Sequence, residues 1–280
     1  MVISAKLIPL SDGNDMPSLG LAAFRRDNVD HVKQVIRNAW NNGIRHYVIA
    51  ELFGNGHTII ETLNELGAKR DEYFITLKIW PKDRKPLDLT SAFKMTLAYI
   101  GLESVDLLLT HAPIDVENRA EQWVALEGLQ EQGLCKSLGI SNLTTFHLTD
   151  LLKNAMIVPS VFESEYSPFY QKTDLIDLAV DSSMNVMVQE FLSKGMRIKS
   201  PKLLNIIPLQ YQDIPIEQIM ARWAITKGCS VMLPADIPSL NVDSNIILEP
   251  LPTDLMNQFA ELDEDLLTIW TTSFVEVEEK

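Results

Sequence analysis

The chain has 280 residues, with 24 Lys and Arg against 38 Asp and Glu, for a net charge of −14 at neutral pH. Such a surface opposes nucleic acid and anionic membrane as partners, and it opposes a multiply charged phosphate unless a local basic patch overrides it. Hydrophobic residues make up 46% of the sequence, enough for a sizeable core, and no apolar run approaches the roughly 20 residues that span a bilayer. Met1 to Pro9 is too short and too polar for a secretory leader, so the cytoplasm is the expected compartment. Cys135 and Cys229 give no disulfide framework and are expected as buried thiols.

From the N-terminus, Lys6–Pro9 and the turn Ser11-Asp12-Gly13-Asn14 predict a small hairpin. Eight short apolar, β-branched runs follow: Ser18–Ala22, Arg45–Ala50, Tyr73–Ile79, Val105–Thr110, Lys136–Ile140, Ser160–Glu165, Val186–Glu190 and Ser230–Leu233. Between them, apolar residues recur at three-and-four spacing, as helices require. Val32, Val35, Ile36 and Trp40 make one such face, and Trp123, Leu126 and Leu129 another. Gly43, Gly101, Gly133 and Gly228 close helical stretches. Lys194–Asp213 is irregular and reads as loop. Eight strand–helix alternations predict a parallel sheet closed into a (β/α)₈ TIM barrel, α/β in class, occupying residues 1–280 as one domain behind the short N-terminal β-hairpin. Working residues then belong at the carboxyl ends of the strands. A Gly-rich phosphate loop, Gly-x-Ser-x-Gly, Cys-x-x-Cys and His-Glu-x-x-His are all absent, and no metal site is expected.

Several local patterns resemble the aldo-keto reductase family in order along nearly the whole chain. They include Leu10-Ser-Asp-Gly-Asn-Asp-Met-Pro-Ser-Leu-Gly-Leu21, Gly43-Ile-Arg-His46 with Phe53-Gly-Asn55, Phe74-Ile-Thr-Leu-Lys-Ile-Trp80, Val105-Asp-Leu-Leu-Leu-Thr-His-Ala-Pro113, Ser137-Leu-Gly-Ile-Ser-Asn142, and Glu165-Tyr166 with Pro168. The resemblance implies hydride transfer from a nicotinamide to a carbonyl, with a tyrosine as acid, a lysine paired to an aspartate, and a histidine that orients the carbonyl. Lys78 matches the lysine and His111 the histidine. Val48 stands at the aspartate's place and Phe53 at the tyrosine's. Valine cannot pair with a lysine, and phenylalanine has no proton to give; loss of a general acid typically costs roughly 10²–10⁴ in rate. Tyr47, beside the vacant position, is expected to point toward the helices by strand alternation.

On the cofactor side, Ser141 and Asn142 match the pair that holds the nicotinamide carboxamide, with Glu163 in place of the usual glutamine. Phe191 either stacks on the nicotinamide or packs in the core. At the 2′-phosphate site the family's cations and serine are replaced by Ala235, Asp236 and Asn241, while Asn245 persists. Two lost cations and one added anion oppose a dianionic phosphate, so the NADP site reads as degenerate and no cofactor is expected, NAD(P)H being the doubtful exception.

Lys78, His111 and Glu163 are the candidate catalytic groups, and Phe53, Trp80, Glu51 and Ala112 the candidate walls of a small-molecule pocket in the barrel mouth. A buried lysine needs an anion, which Glu163 or Glu51 could supply. The leading expectation is a binding or regulatory pseudoenzyme, with a protein partner, that no longer reduces carbonyls. Two alternatives stay open: a cofactor-independent lyase, isomerase or dehydratase using Lys78, His111 and Glu163, and a weak NAD(P)H-dependent oxidoreductase. His46 reads as a structural hydrogen-bonding residue, and His31, His57 and His147 as surface residues.

Overall fold

The computed structural model describes residues 6–24, 28–81, 85–111, 119–235 and 248–268. A hairpin, β1 (Leu7–Pro9) against β2 (Asp15–Pro17), precedes the barrel and pairs antiparallel. The barrel strands are β3 (Leu19–Leu21), β4 (His46–Ala50), β5 (Phe74–Ile79), β6 (Val105–Thr110), β7 (Cys135–Ser141), β8 (Val161–Glu165), β9 (Asn185–Gln189) and β10 (Ser230–Leu233). All eight run parallel in sequence order, and β10 closes the sheet onto β3. The helices around them are α1 (Val29–Asn41), α2 (Gly56–Glu65), α3 (Pro86–Ile100), α4 (Arg119–Glu131), α5 (Thr145–Asn154), α6 (Thr173–Asp181), α7 (Pro201–Ile206), α8 (Ile216–Thr226) and α9 (Thr253–Ala260). Among the described residues, no helix is long and apolar enough to cross a membrane.

Alternation along each strand sorts the core into two parts. Outward residues such as Leu19, Ile49, Ile75, Leu108, Ile140, Phe162 and Val231 pack under the helices. Tyr47 belongs to this outer layer, its hydroxyl donating to the Ile44 carbonyl at 2.8 Å. Inward residues Val48, Phe74, Leu107, Leu109, Val161, Met187 and Met232 fill the lumen, and Leu10 and Met16 of the hairpin segment plug its amino end. His46 crosses this filling as a buried polar group. Its Nε2 lies 2.7 Å from Thr76 Oγ1 and its Nδ1 3.5 Å from the Pro17 carbonyl. The two cysteines are buried.

Two expectations are corrected. Lys194–Asp213 is not all loop: it holds α7, whose start is marked by Ser200, which accepts from the Leu203 N–H at 3.3 Å, and by Pro201 at the first helical position. His147 is not a surface residue. It is buried on α5, where Thr144 Oγ1 accepts from its N–H and its Nδ1 accepts from the Thr144 N–H, both at 3.3 Å. A polar side chain three residues past a Thr cap closes a reciprocal capping box, and so it turns toward the helix end instead of solvent.

Gly139 sits inward on β7, close against Leu109 and Val161. A Cβ there would lie 2.3 Å from Leu109 Cδ2 and 2.6 Å from the Val161 carbonyl oxygen. Backbone cannot yield as a flexible side chain does, so Gly139→Ala is expected to destabilise by about 3 kcal/mol, the upper end of the usual cost of overpacking. Gly128, within α4, has nothing within 4 Å of a built Cβ, and Gly128→Ala is expected to stabilise by up to ~1 kcal/mol. Urea unfolding of the two variants checks both signs.

Candidate active site

The carboxyl end of the barrel gathers one buried ion pair and its attachments. Lys78, inward on β5, donates from Nζ to Glu163 Oε2, inward on β8. Both side chains are nearly sealed from solvent, at 4% and 3% exposure. In the order β5-β6-β7-β8, two strands separate them, so the pair spans the lumen instead of running along one ladder. Ser141, opposite Glu163 in the β7–β8 register, donates its hydroxyl to the same Oε2 at 2.6 Å. Burying two charges costs several kcal/mol each unless geometry and further hydrogen bonds offset it, and Ser141 supplies one such bond.

Glu51 does not take the lysine. Its Oε2 accepts from the Trp80 backbone N–H at 3.0 Å, in the short helical turn after β4. Val48 is buried among apolar side chains of the lumen. Phe53 and Trp80 both set ring edges against His111, with centroids 5.8 Å apart in each case. Burial holds the His111 imidazole down to about 3, and the nearby Lys78 charge pushes the same way. The ring is therefore neutral at physiological pH, with one N–H to donate.

Asn142 adopts φ 58°, a left-handed geometry that asparagine tolerates. Its Nδ2 donates to the His111 carbonyl at 3.0 Å, and its Oδ1 accepts from Gln189 Nε2 at 2.8 Å. Gln189 was not singled out from the sequence, although a polar residue ending an otherwise apolar strand was the available signal. Phe191 is fully buried in the layer between sheet and helices. Glu190 also has positive φ, at 53°. A second missed feature is the C-terminal segment. Thr268 donates from N (2.8 Å) and Oγ1 (2.7 Å) to the buried Glu165 carboxylate, and Glu264 and Leu266 donate their N–H groups to the Phe169 carbonyl. Ala235 follows β10 half-buried, while Ala112, Asp236, Asn241 and Asn245 lie outside the described residues.

The donors and acceptors present fit a nicotinamide carboxamide. Among the described residues only Oε2 of Glu163 takes hydrogen bonds, which leaves Oε1 to accept an amide N–H. Asn142 Nδ2 has a second N–H for the amide oxygen beyond the one given to His111.

Residues 18–206 match the profile described as "Aldo/keto reductase family". Among curated proteins, the chain is 30% identical over 273 residues to an NAD(P)H-dependent D-xylose reductase of Candida tenuis, covering 82% of this chain and 84% of that protein. It is 28% identical over 238 residues to a glyoxal reductase of Bacillus subtilis, covering 85% of each. Among solved structures, an aldo/keto reductase from Brucella melitensis superposes with a TM-score of 0.83 at 27% identity, over 93% of this chain and 100% of that one.

These matches overturn three expectations. A binding or regulatory pseudoenzyme, a degenerate NADP site and the absence of any cofactor are each at odds with likeness over more than four fifths of the chain to named reductases, one of them NAD(P)H-dependent. The error lay in weighing Ala235, Asp236 and Asn241 as if one phosphate decided the binding. A dinucleotide is held over many contacts, so one phosphate does not decide whether it binds.

His46 carries a stability prediction. Burial lowers its imidazole from 6.5 to about 4. A histidine kept neutral in the fold contributes stability that is complete above its unfolded value and is lost as pH falls toward its folded one. Between pH 6.5 and pH 5 that loss is about 2 kcal/mol. His46→Gln is expected to remove that share of the acid destabilisation, measured as the difference in urea unfolding free energy at the two pH values.

Proposed function

The chain belongs to the aldo/keto reductase family, and from that premise we propose that it is a nicotinamide-dependent oxidoreductase that reduces carbonyl compounds. The observation that carries this reading is the Lys78–Glu163 pair beside a neutral His111 at the carboxyl end of the barrel, next to a carboxamide-compatible set of Ser141, Asn142 and Glu163. When bound, the nicotinamide supplies a hydride to the carbonyl carbon.

The protein's own groups act on the carbonyl oxygen. His111 donates its ring N–H to that oxygen and, being neutral, orients it without protonating it. The Lys78 ammonium lowers the energy of the negative charge that develops there, and the water-poor surroundings strengthen that effect. In this reading Phe53 and Val48 stand where the family resemblance puts its tyrosine and aspartate, so the oxygen takes its proton from the Lys78 ammonium. Phe53 and Trp80 form apolar walls around His111 and favour a carbonyl with an apolar or aromatic substituent. The cofactor is seated by Ser141, Asn142 and Glu163.

The test is titration with NADH and with NADPH, followed by their oxidation in the presence of an aromatic aldehyde. Binding and turnover with at least one are expected. Absence of binding by both at about millimolar concentration contradicts the proposal. His111→Ala is expected to lower kcat/KM by about 10²-fold, as loss of a donor to a developing oxyanion does. Phe53→Tyr brings a phenol beside His111 and is expected to raise kcat by about 10²-fold, the usual worth of a positioned general acid.

A further inference from the structure

We propose that Glu163 is the positioning residue for Lys78, fixing the ammonium in its charged form at the carboxyl end of the barrel by a bond across the lumen. The catalytic use of Lys78 rests on the reductase reading; what holds Lys78 rests on geometry alone.

Three observations carry the assignment. Glu163 Oε2 is the carboxylate oxygen that accepts from Lys78 Nζ. Ser141 donates to that same oxygen at 2.6 Å from the adjoining strand, a second contact that holds the carboxylate in place. Both ends of the pair are almost fully buried, so water cannot replace either partner. On the ladder next to β5 the residues offer no alternative. Ala50 lies opposite Lys78, and Val48, opposite Thr76, is its diagonal neighbour.

Among the described residues, no titratable group at this end of the barrel other than Glu163 pairs with Lys78. His111, past the end of neighbouring β6, is neutral. Glu51, past the end of β4, accepts from the Trp80 N–H. Glu165, two residues beyond Glu163, accepts from Thr268. Glu190 follows β9 with a positive φ of 53° and, among the described residues, forms no ion pair with Lys78. Removal of the Glu163 charge therefore leaves a buried ammonium uncompensated, and such a group sheds its proton.

The experiment reads the Lys78 Nζ protonation state by ¹⁵N-lysine NMR across a pH series, with no nicotinamide or carbonyl compound added. The chains compared are the parent, Glu163→Gln and the double variant Val48→Asp with Glu163→Gln. In Glu163→Gln, Lys78 is expected to lose its proton at lower pH than in the parent, the ammonium being roughly ten- to a thousandfold more acidic. Moving the carboxylate to position 48 is expected to reverse most of that change. The alkaline limb of kcat is expected to shift in the same direction in each variant.

An unchanged Lys78 titration in Glu163→Gln overturns the inference. If Glu163→Gln does not fold, Lys78→Met with Glu163→Gln removes the orphaned charge and is expected to fold; its failure to do so also overturns the inference, since Glu163 would then be needed for something other than Lys78. A shifted titration without turnover on any carbonyl supports this assignment while the reductase reading falls. Turnover with an unshifted titration does the reverse.

Discussion

An ammonium buried at the mouth of a barrel has two stable options: it keeps an anion against it, or it gives up its proton. In this protein the anion comes from across the lumen. Lys78 on β5 reaches Glu163 on β8, and Ser141 on β7 steadies the carboxylate from the adjoining strand. Three strands are thereby tied at the carboxyl end of the barrel, where enzymes of this architecture place their working residues. Around it, Asn142 binds the carbonyl of His111 and is itself held by Gln189, so the end of β6 is linked through β7 to β9.

The barrel below makes this placement possible. Its lumen is filled with apolar side chains and closed at the amino end by the hairpin segment, so polar groups toward the mouth stand on a dry floor. Gly139 and Gly20 leave room for Leu109 and Met232, each on a neighbouring strand, where a methyl would collide. A tight floor fixes strand register, and register decides that Ser141 faces Glu163.

Much of this was legible in the sequence. The eight apolar runs matched the eight barrel strands to within a residue or two because period-two burial and turn residues are local signals. The direction of Tyr47 followed from the same alternation. The partner of Lys78 did not. Glu51 and Glu163 both end strands, and only the three-dimensional closure of the sheet shows that one caps a backbone N–H while the other crosses to the lysine. The burial of His147 and the C-terminal contact of Thr268 with Glu165 were hidden for a similar reason: each depends on a partner whose importance the sequence pattern does not mark. The functional misreading had another origin. The replacements at residues 235–241 carried the weight of the whole cofactor site, and likeness to named reductases overturns that weighting.

In the proposed reaction a hydride passes from a nicotinamide to a carbonyl carbon in this site. The most direct measurement is isotope transfer: a nicotinamide dinucleotide deuterated at the transferring position is incubated with the protein and an aldehyde, and the alcohol is analysed by mass spectrometry and NMR. The expected product is an alcohol that carries the deuterium on its carbinol carbon, taken from only one face of the nicotinamide. An alcohol formed without label, or an aldehyde consumed to a product other than its alcohol, contradicts it.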